Sequence, residues 1–163
     1  LRFEKRDYKD DDALDSLTHR IQAILPELIE ASDARFRVFY STVEPDHIGG
    51  KTRKLDGAVR HRTGDDFWIL VHQEPFLQSD DFHKIALLIH EVHHIAREGA
   101  SWVIRHHEEN YCEIRSHDKY SYKLALKAMG LLGLKYSNEA EVREYAGLTL
   151  KQNTSTESSE APT

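Results

Sequence analysis

One segment constrains this chain more than any other: residues 79–99, SDDFHKIALLIHEVHHIAREG. Ile85, Leu88, Ile89, Val92 and Ala96 recur at the spacing of a single helical face, so another layer of the protein must cover that face. Ser79 is expected to be the N-cap. Asp80 and Asp81 then fall in the first turn, where carboxylates suit the helix dipole, and Gly99 supplies the stop. The layer that covers the face is offered just upstream. FWILVH, Phe67–His72, is an almost unbroken apolar run after a turn-rich stretch and reads as a strand.

Other segments fill in the same architecture. RFRVFYST, residues 35–42, alternates Phe36, Val38 and Tyr40 against Arg35, Arg37 and Phe39, as a strand does. Residues 15–33 place Leu17, Ile21, Ile24, Leu25, Leu28 and Ile29 on one helical face, with Pro26 set to kink it. DHIGGKTRKLDGAVRHRTGDD, residues 46–66, breaks every periodicity and reads mainly as an exposed loop with a short strand at 58–61. A helix is expected over 108–129, closed by Gly130 and Gly133, and a short one within 137–150. Residues 151–163, KQNTSTESSEAPT, have almost no apolar content and read as a disordered tail. The expected fold is α+β: a small mixed or antiparallel sheet with the long helix and its partner helices packed on one face. Residues 1–15 form a polar N-terminal segment, 16–150 a single domain and 151–163 the tail.

Composition narrows the function classes. With 163 residues the chain can bury one real core. At 31% charged and 39% hydrophobic residues it has no apolar run able to span a bilayer, so no membrane association is expected. The start, LRFEKRDYKDDDALDSL, is too polar for a secretory signal, which makes a cytoplasmic location the expectation. DYKDDD within it resembles part of an epitope tag until Ala13 and Leu14 break the match, and it is read as native. Cys112 is the single cysteine, so neither an internal disulfide nor a cysteine-type zinc site is available. It reads as a spectator thiol and not as a nucleophile. The net charge of −6 does not indicate a dedicated nucleic-acid binder. Lys51, Arg53, Lys54, Arg60 and Arg62 are read as a solvated loop, although they also suit a nucleic-acid or acidic-substrate patch. Trp68 and Trp102 read as core or rim aromatics, since no second aromatic pairs with them at strand spacing.

The eleven histidines are the compositional oddity, and they concentrate in the long helix. His83, Leu87, His90 and His94 form a stripe beside the apolar one. His90-Glu91-Val92-His93-His94 contains H-E-x-x-H, and residues four apart on a helix lie about 40° apart around its axis, one turn above each other. Two imidazoles so placed can grip one ion. Glu91, one step round, is close enough to act as general base on a water bound to that ion. Zinc fits best, because neutral imidazoles suit it and no redox chemistry is implied. The bland reading is a histidine-rich helix face, and against it stands the context of an amphipathic helix, with the motif in mid-helix, directly after a strand. His90 with His93 is a weaker register, because a three-residue spacing splays the rings more.

Catalytic zinc takes a third protein ligand and keeps one position open for water. Glu113 is the expected ligand, on a following helix with His117 one turn later. His117, Glu109, His106, His107 and Asp118 remain alternatives, as does a plain solvated role for Glu113.

HEVHH followed by EIRSHDKYSYKLA resembles a compact gluzincin metallopeptidase, in which H-E-x-x-H is completed by a glutamate in an E-x-x-A-D/N-x-x-A setting. Ser116 then stands at the small position and His117, a departure, at the Asp/Asn position. Residues 35–130 more widely resemble phage-type metallopeptidases: a basic glycine-containing segment, an apolar strand, then the zinc helix. The resemblance implies a protein encoded by a phage and acting in its host cell. It also implies peptide hydrolysis by Zn2+ held on His90, His94 and Glu113, with Glu91 moving the proton. Tyr111, Tyr120, Tyr122, His93 and His117 are candidates for the oxyanion donor or for holding the ligands. The Phe67–His72 strand is expected to offer an open edge to an extended peptide or protein substrate. Two alternatives stay open: a Spartan-like protease acting on DNA with a third histidine ligand, and a non-catalytic module in which zinc serves folding or partner binding through a closed four-ligand site. Glu91 favours catalysis, since a structural site has no use for a base there.

Overall fold

A computed structural model of the chain describes residues 8–42, 49–105 and 111–135, with side chains for all of these except 111–119. The apolar run at 67–72 is the strand β4, Phe67–His72, with Phe67, Ile69, Leu70 and Val71 all buried. It runs parallel to β2, Phe36–Ser41, pairing Phe36 with Phe67 and Ser41 with His72. On its other side it pairs antiparallel with β3, Gly50–Lys54. β1, Tyr8–Asp10, adds antiparallel to β2, which gives a mixed sheet of order β1-β2-β4-β3. Residues 8–12 of the tag-like stretch are thus part of the fold. Asp11 caps the following helix α1, Asp12–Ile24, by accepting a bond from the Leu14 amide at 2.9 Å.

Pro26 ends α1 outright: it has no N–H to continue the ladder, and Pro26–Asp33 forms a kinked 3-10 stretch instead. That rotation leaves Leu25 and Leu28 buried but turns Ile29 out to 66% exposure, off the face predicted for it. The segment 46–66 is likewise more ordered than a loop, for it supplies both β3 and the helix α2, Gly57–Thr63. Residues 58–61, expected to be a strand, lie in α2, because Asp56 caps a helix there through the Val59 amide at 3.0 Å.

The long amphipathic segment forms α4, Asp81–His93, after the short α3, Gln73–Gln78. Its N-cap is Asp80 and not Ser79: the Asp80 carboxylate accepts from the His83 amide at 2.8 Å. Gly99 does not stop it either. The helix ends at His93, and the chain folds into a hairpin, β5 Ile95–Glu98 and β6 Ser101–Ile104, whose two-residue turn uses Gly99 at φ 60°. Ala96, expected on the helical stripe, is buried in β5.

Opposed residues of neighbouring strands share a face, so the register sorts the sheet. Phe36, Val38, Tyr40, Phe67, Ile69 and Val71 face inward, onto Leu14 and Ile21 of α1 and Ile85, Leu88, Ile89 and Val92 of α4. Arg37, Phe39, Trp68, Lys51 and Arg53 face the other way. Phe39 and Trp68 meet edge to face there at 5.4 Å, a cross-strand aromatic pair that the sequence reading did not foresee. The last described helix, α5 Tyr111–Leu132, packs on α4 through Leu124, Ala125, Ala128 and Met129. Gly130 lies within it, and it closes after Leu132 with Leu134 N–H bonded to the Met129 carbonyl at 2.9 Å. The helix expected within 137–150 and the tail lie outside the described residues. Among those described, no helix is long and apolar enough to cross a membrane.

Candidate metal centre

H-E-x-x-H closes α4: His90 and His93 lie in its last turn and His94 is the C-cap residue, where mid-helix was expected. The geometry survives because His94 keeps helical dihedrals, φ −67° and ψ −21°. The His90 and His94 rings stand 4.9 Å apart, centroid to centroid, and 77° to each other. One ligand atom from each of His90, Glu91 and His94 lies within 4.8 Å of the others, so the three could hold one ion.

The exit from the helix orients His94. Its Nδ1 sits 2.7 Å from the Arg105 carbonyl, just past β6. A carbonyl can only accept, so Nδ1 carries the proton and the ring's lone pair is on Nε2. The arrangement is fixed from the other direction by Arg105 N–H to the His94 carbonyl, 2.6 Å, and by the Arg105 guanidinium to the His93 carbonyl, 3.0 Å. That guanidinium also pairs with Glu30 of the 3-10 stretch. Arg105 therefore satisfies carbonyls that the end of α4 would leave bare, and sets a histidine at the same time.

Glu91 is held by the sheet. It is 2% exposed, beneath β3. The Thr52 hydroxyl lies 2.8 Å from its main-chain carbonyl and 2.7 Å from Oε2. A hydroxyl has one proton, so it donates to one of these oxygens at a time; donation to Oε2 favours the ionised carboxylate. Burial pushes the Glu91 carboxyl up to about 7, against the opposing pull of the Thr52 bond. Gly50, on the same strand, makes room: a Cβ there would meet the Leu70 carbonyl oxygen at 3.0 Å and Glu91 Cγ at 3.3 Å. Thr52, Gly50 and Arg105 were not found from the sequence. Their signal was slight: a period of two in GKTRK, and an arginine just past a hairpin.

Of the other sequence candidates, Tyr120 reaches the centre's neighbourhood, its ring 5.4 Å from that of His93 and 38% exposed. Tyr122 stacks instead on Phe82 at the opposite end of α4, centroids 5.3 Å apart, and is set aside as an oxyanion donor. Tyr111, Glu113, His117 and Asp118 lie in the first turns of α5, a helix that packs on α4, but their side chains lie outside the described residues. His106, His107 and Glu109 lie outside them altogether.

An α+β fold whose sheet-backed helix ends in two histidines and a buried glutamate has the donor set of a metal-dependent hydrolase. Residues 6–146 match the family model of the putative phage metallopeptidases, and the chain belongs to that family. No curated protein and no solved structure matches it.

Proposed function

We propose that the protein is a zinc-dependent metallopeptidase hydrolysing peptide bonds at the end of α4. The observation that carries this reading is that the side chains of Glu91 and His94 are each held by a partner from elsewhere in the chain, the Thr52 hydroxyl and the Arg105 carbonyl. In this reading His90 and His94 hold the ion through ring nitrogens and Glu113 of α5 is the third ligand. Two imidazoles and a carboxylate suit Zn2+, which when bound supplies the Lewis acidity that activates water and polarises a carbonyl. Glu91 takes the proton from the attacking water and delivers it to the leaving amine, from a buried position beside the two histidines. Tyr120, His93, His117 and Tyr111 are the candidates for steadying the oxyanion.

A peptide substrate is proposed to lie along the sheet, and its position differs from the one expected from sequence. β4 has strands on both sides and no free edge. Among the described residues β3 is an edge strand, and it is also the strand that holds Glu91.

Elemental analysis of the purified protein tests the centre. About one zinc per chain, lost in Glu113→Ala and kept in His117→Ala, is the expected result, with peptide cleavage abolished in Glu91→Gln. Loss with His117→Ala alone replaces Glu113 by a histidine-completed centre, and a parent chain that takes up no added zinc overturns the proposal.

A further inference from the structure

β3 is hydrogen-bonded on one side only, to β4, and among the described residues no strand pairs with its other edge. Its two faces differ in kind. Gly50 and Thr52 turn toward α4 and touch Glu91. Lys51 and Arg53 turn to the opposite face, and both are exposed. Of the nearby arginines, Arg37 lies 3.6 Å from Asp65 and Arg60 lies 2.7 Å from Asp66, while Lys54 ends β3 on the face of Gly50 and Thr52. Among the described residues no carboxylate pairs with Lys51 or Arg53. Two cations thus stand two residues apart, about 6.7 Å along a strand, on the edge beside the metal centre.

A chain added to this edge repeats the same alternation. Residues on one of its faces look toward α4 and the metal; those on the other come level with Lys51 and Arg53 at the distance of cross-strand pairs, where opposite charges attract and like charges repel. From this placement, and resting on the metallopeptidase reading above, we infer that the substrate class is an extended segment with acidic side chains at alternate positions, the intervening residue facing the metal centre. The charge of the whole molecule cannot produce this preference. At −6 it repels acidic chains, so a preference for them reads the strand itself.

Three fluorescent peptides of equal length test it, with Glu, Gln or Lys at two alternate positions, together with a fourth bearing two adjacent Glu. Binding is measured by anisotropy to the zinc-loaded Glu91→Gln chain, and cleavage with the parent chain. The alternate-Glu peptide is expected to bind about fivefold to tenfold more tightly than the Lys peptide at low salt, with the gap narrowing at 0.5 M salt. The adjacent-Glu peptide should show about half the gain on a logarithmic scale, since one of its acids faces inward. Lys51→Glu with Arg53→Glu, introduced into the same chain, should invert the ranking. If that double variant does not fold by circular dichroism, Lys51→Gln with Arg53→Gln takes its place and should erase the ranking. Equal binding of all peptides, no binding at all, or a ranking the variants leave untouched overturns the inference. Cleavage without charge preference removes this inference and leaves the metallopeptidase reading standing. The expected ranking without cleavage of any peptide does the reverse.

Discussion

β4 and β3 lie side by side in one sheet and answer to different demands. β4 has a strand on each side and α4 beneath it, and Phe67, Ile69 and Val71 are wholly buried. Any apolar side chain of the right volume serves there, because the work is to exclude water. β3 contributes little to that core. The two of its residues that meet Glu91 are a glycine, which leaves the carboxyl room beneath the strand, and a threonine, which gives it a hydrogen bond. The centre strand is specified by hydrophobicity, and the edge strand by one carboxylate. Changes in β4 should therefore act on stability, and changes in β3 on the chemistry.

The largest expected effect belongs to the carboxylate that β3 serves. Glu91→Gln keeps the shape and the Thr52 contact and removes the base, so peptide cleavage should fall by about 10²–10⁴-fold with zinc content unchanged. A variant that cleaves at the parent rate removes Glu91 from the reaction and leaves β3 with no special duty. The same substitution has an opposite effect on folding. Because the folded carboxyl titrates near 7 and an unfolded one near 4.5, the folded chain holds the proton to higher pH. Stability of the metal-free protein should then fall as pH rises from about 4.5 through about 7, by on the order of 3 kcal/mol, and level off above. Glu91→Gln escapes that loss. Urea unfolding of metal-free protein should find the variant more stable than the parent at pH 8 and equal to it near pH 4.5; equal stability at both refutes the burial argument.

A smaller effect is expected where the two strands touch. Gly50 pairs with Val71, and a methyl group at Gly50 would press on the Leu70 carbonyl at 3.0 Å and on Glu91 at 3.3 Å. One of the two must yield. Gly50→Ala should cost about 1–3 kcal/mol in thermal or urea unfolding and lower cleavage as well. A fully active, fully stable variant breaks the claim that this glycine is there for Glu91.

How far the molecule could be read in advance follows the same division. β2, β4 and α4 were legible because burial imposes a period on sequence: Phe36, Val38 and Tyr40 at two, Ile85, Leu88, Ile89 and Val92 at helical spacing. The H-E-x-x-H chemistry was legible because its residues are local. β3 and α2 were not, since an exposed edge and a short surface helix bury little and their glycines and cations look like loop. The hairpin that ends α4 hid behind the stripe, because Ala96 happens to fall at helical spacing while lying in β5. Thr52 and Arg105 reach Glu91 and His94 across 39 and 11 residues. No local pattern records such contacts; they exist only once the strand and hairpin are in place.

The mirror pair Thr52→Val and Val71→Thr gives the smallest and sharpest test, for each exchanges a methyl and a hydroxyl of nearly equal volume between the two strands. In β3, losing the hydroxyl leaves the buried Glu91 carboxyl without its partner. Stability should fall by about 1–3 kcal/mol, since the hydroxyl that meets both Glu91 oxygens is lost. Cleavage should fall about tenfold, in kcat more than in KM, because the base is misplaced and not the substrate. Thr52→Ser, which keeps the hydroxyl, should restore most of that rate. In β4, Val71→Thr puts a hydroxyl among apolar side chains at a site with no exposure and should cost about 1–3 kcal/mol. Its kcat at a temperature where it stays folded should remain near the parent value. If both substitutions change stability alone, Thr52 is an ordinary buried hydroxyl, and the division of labour between the two strands fails at the residue on which it most depends.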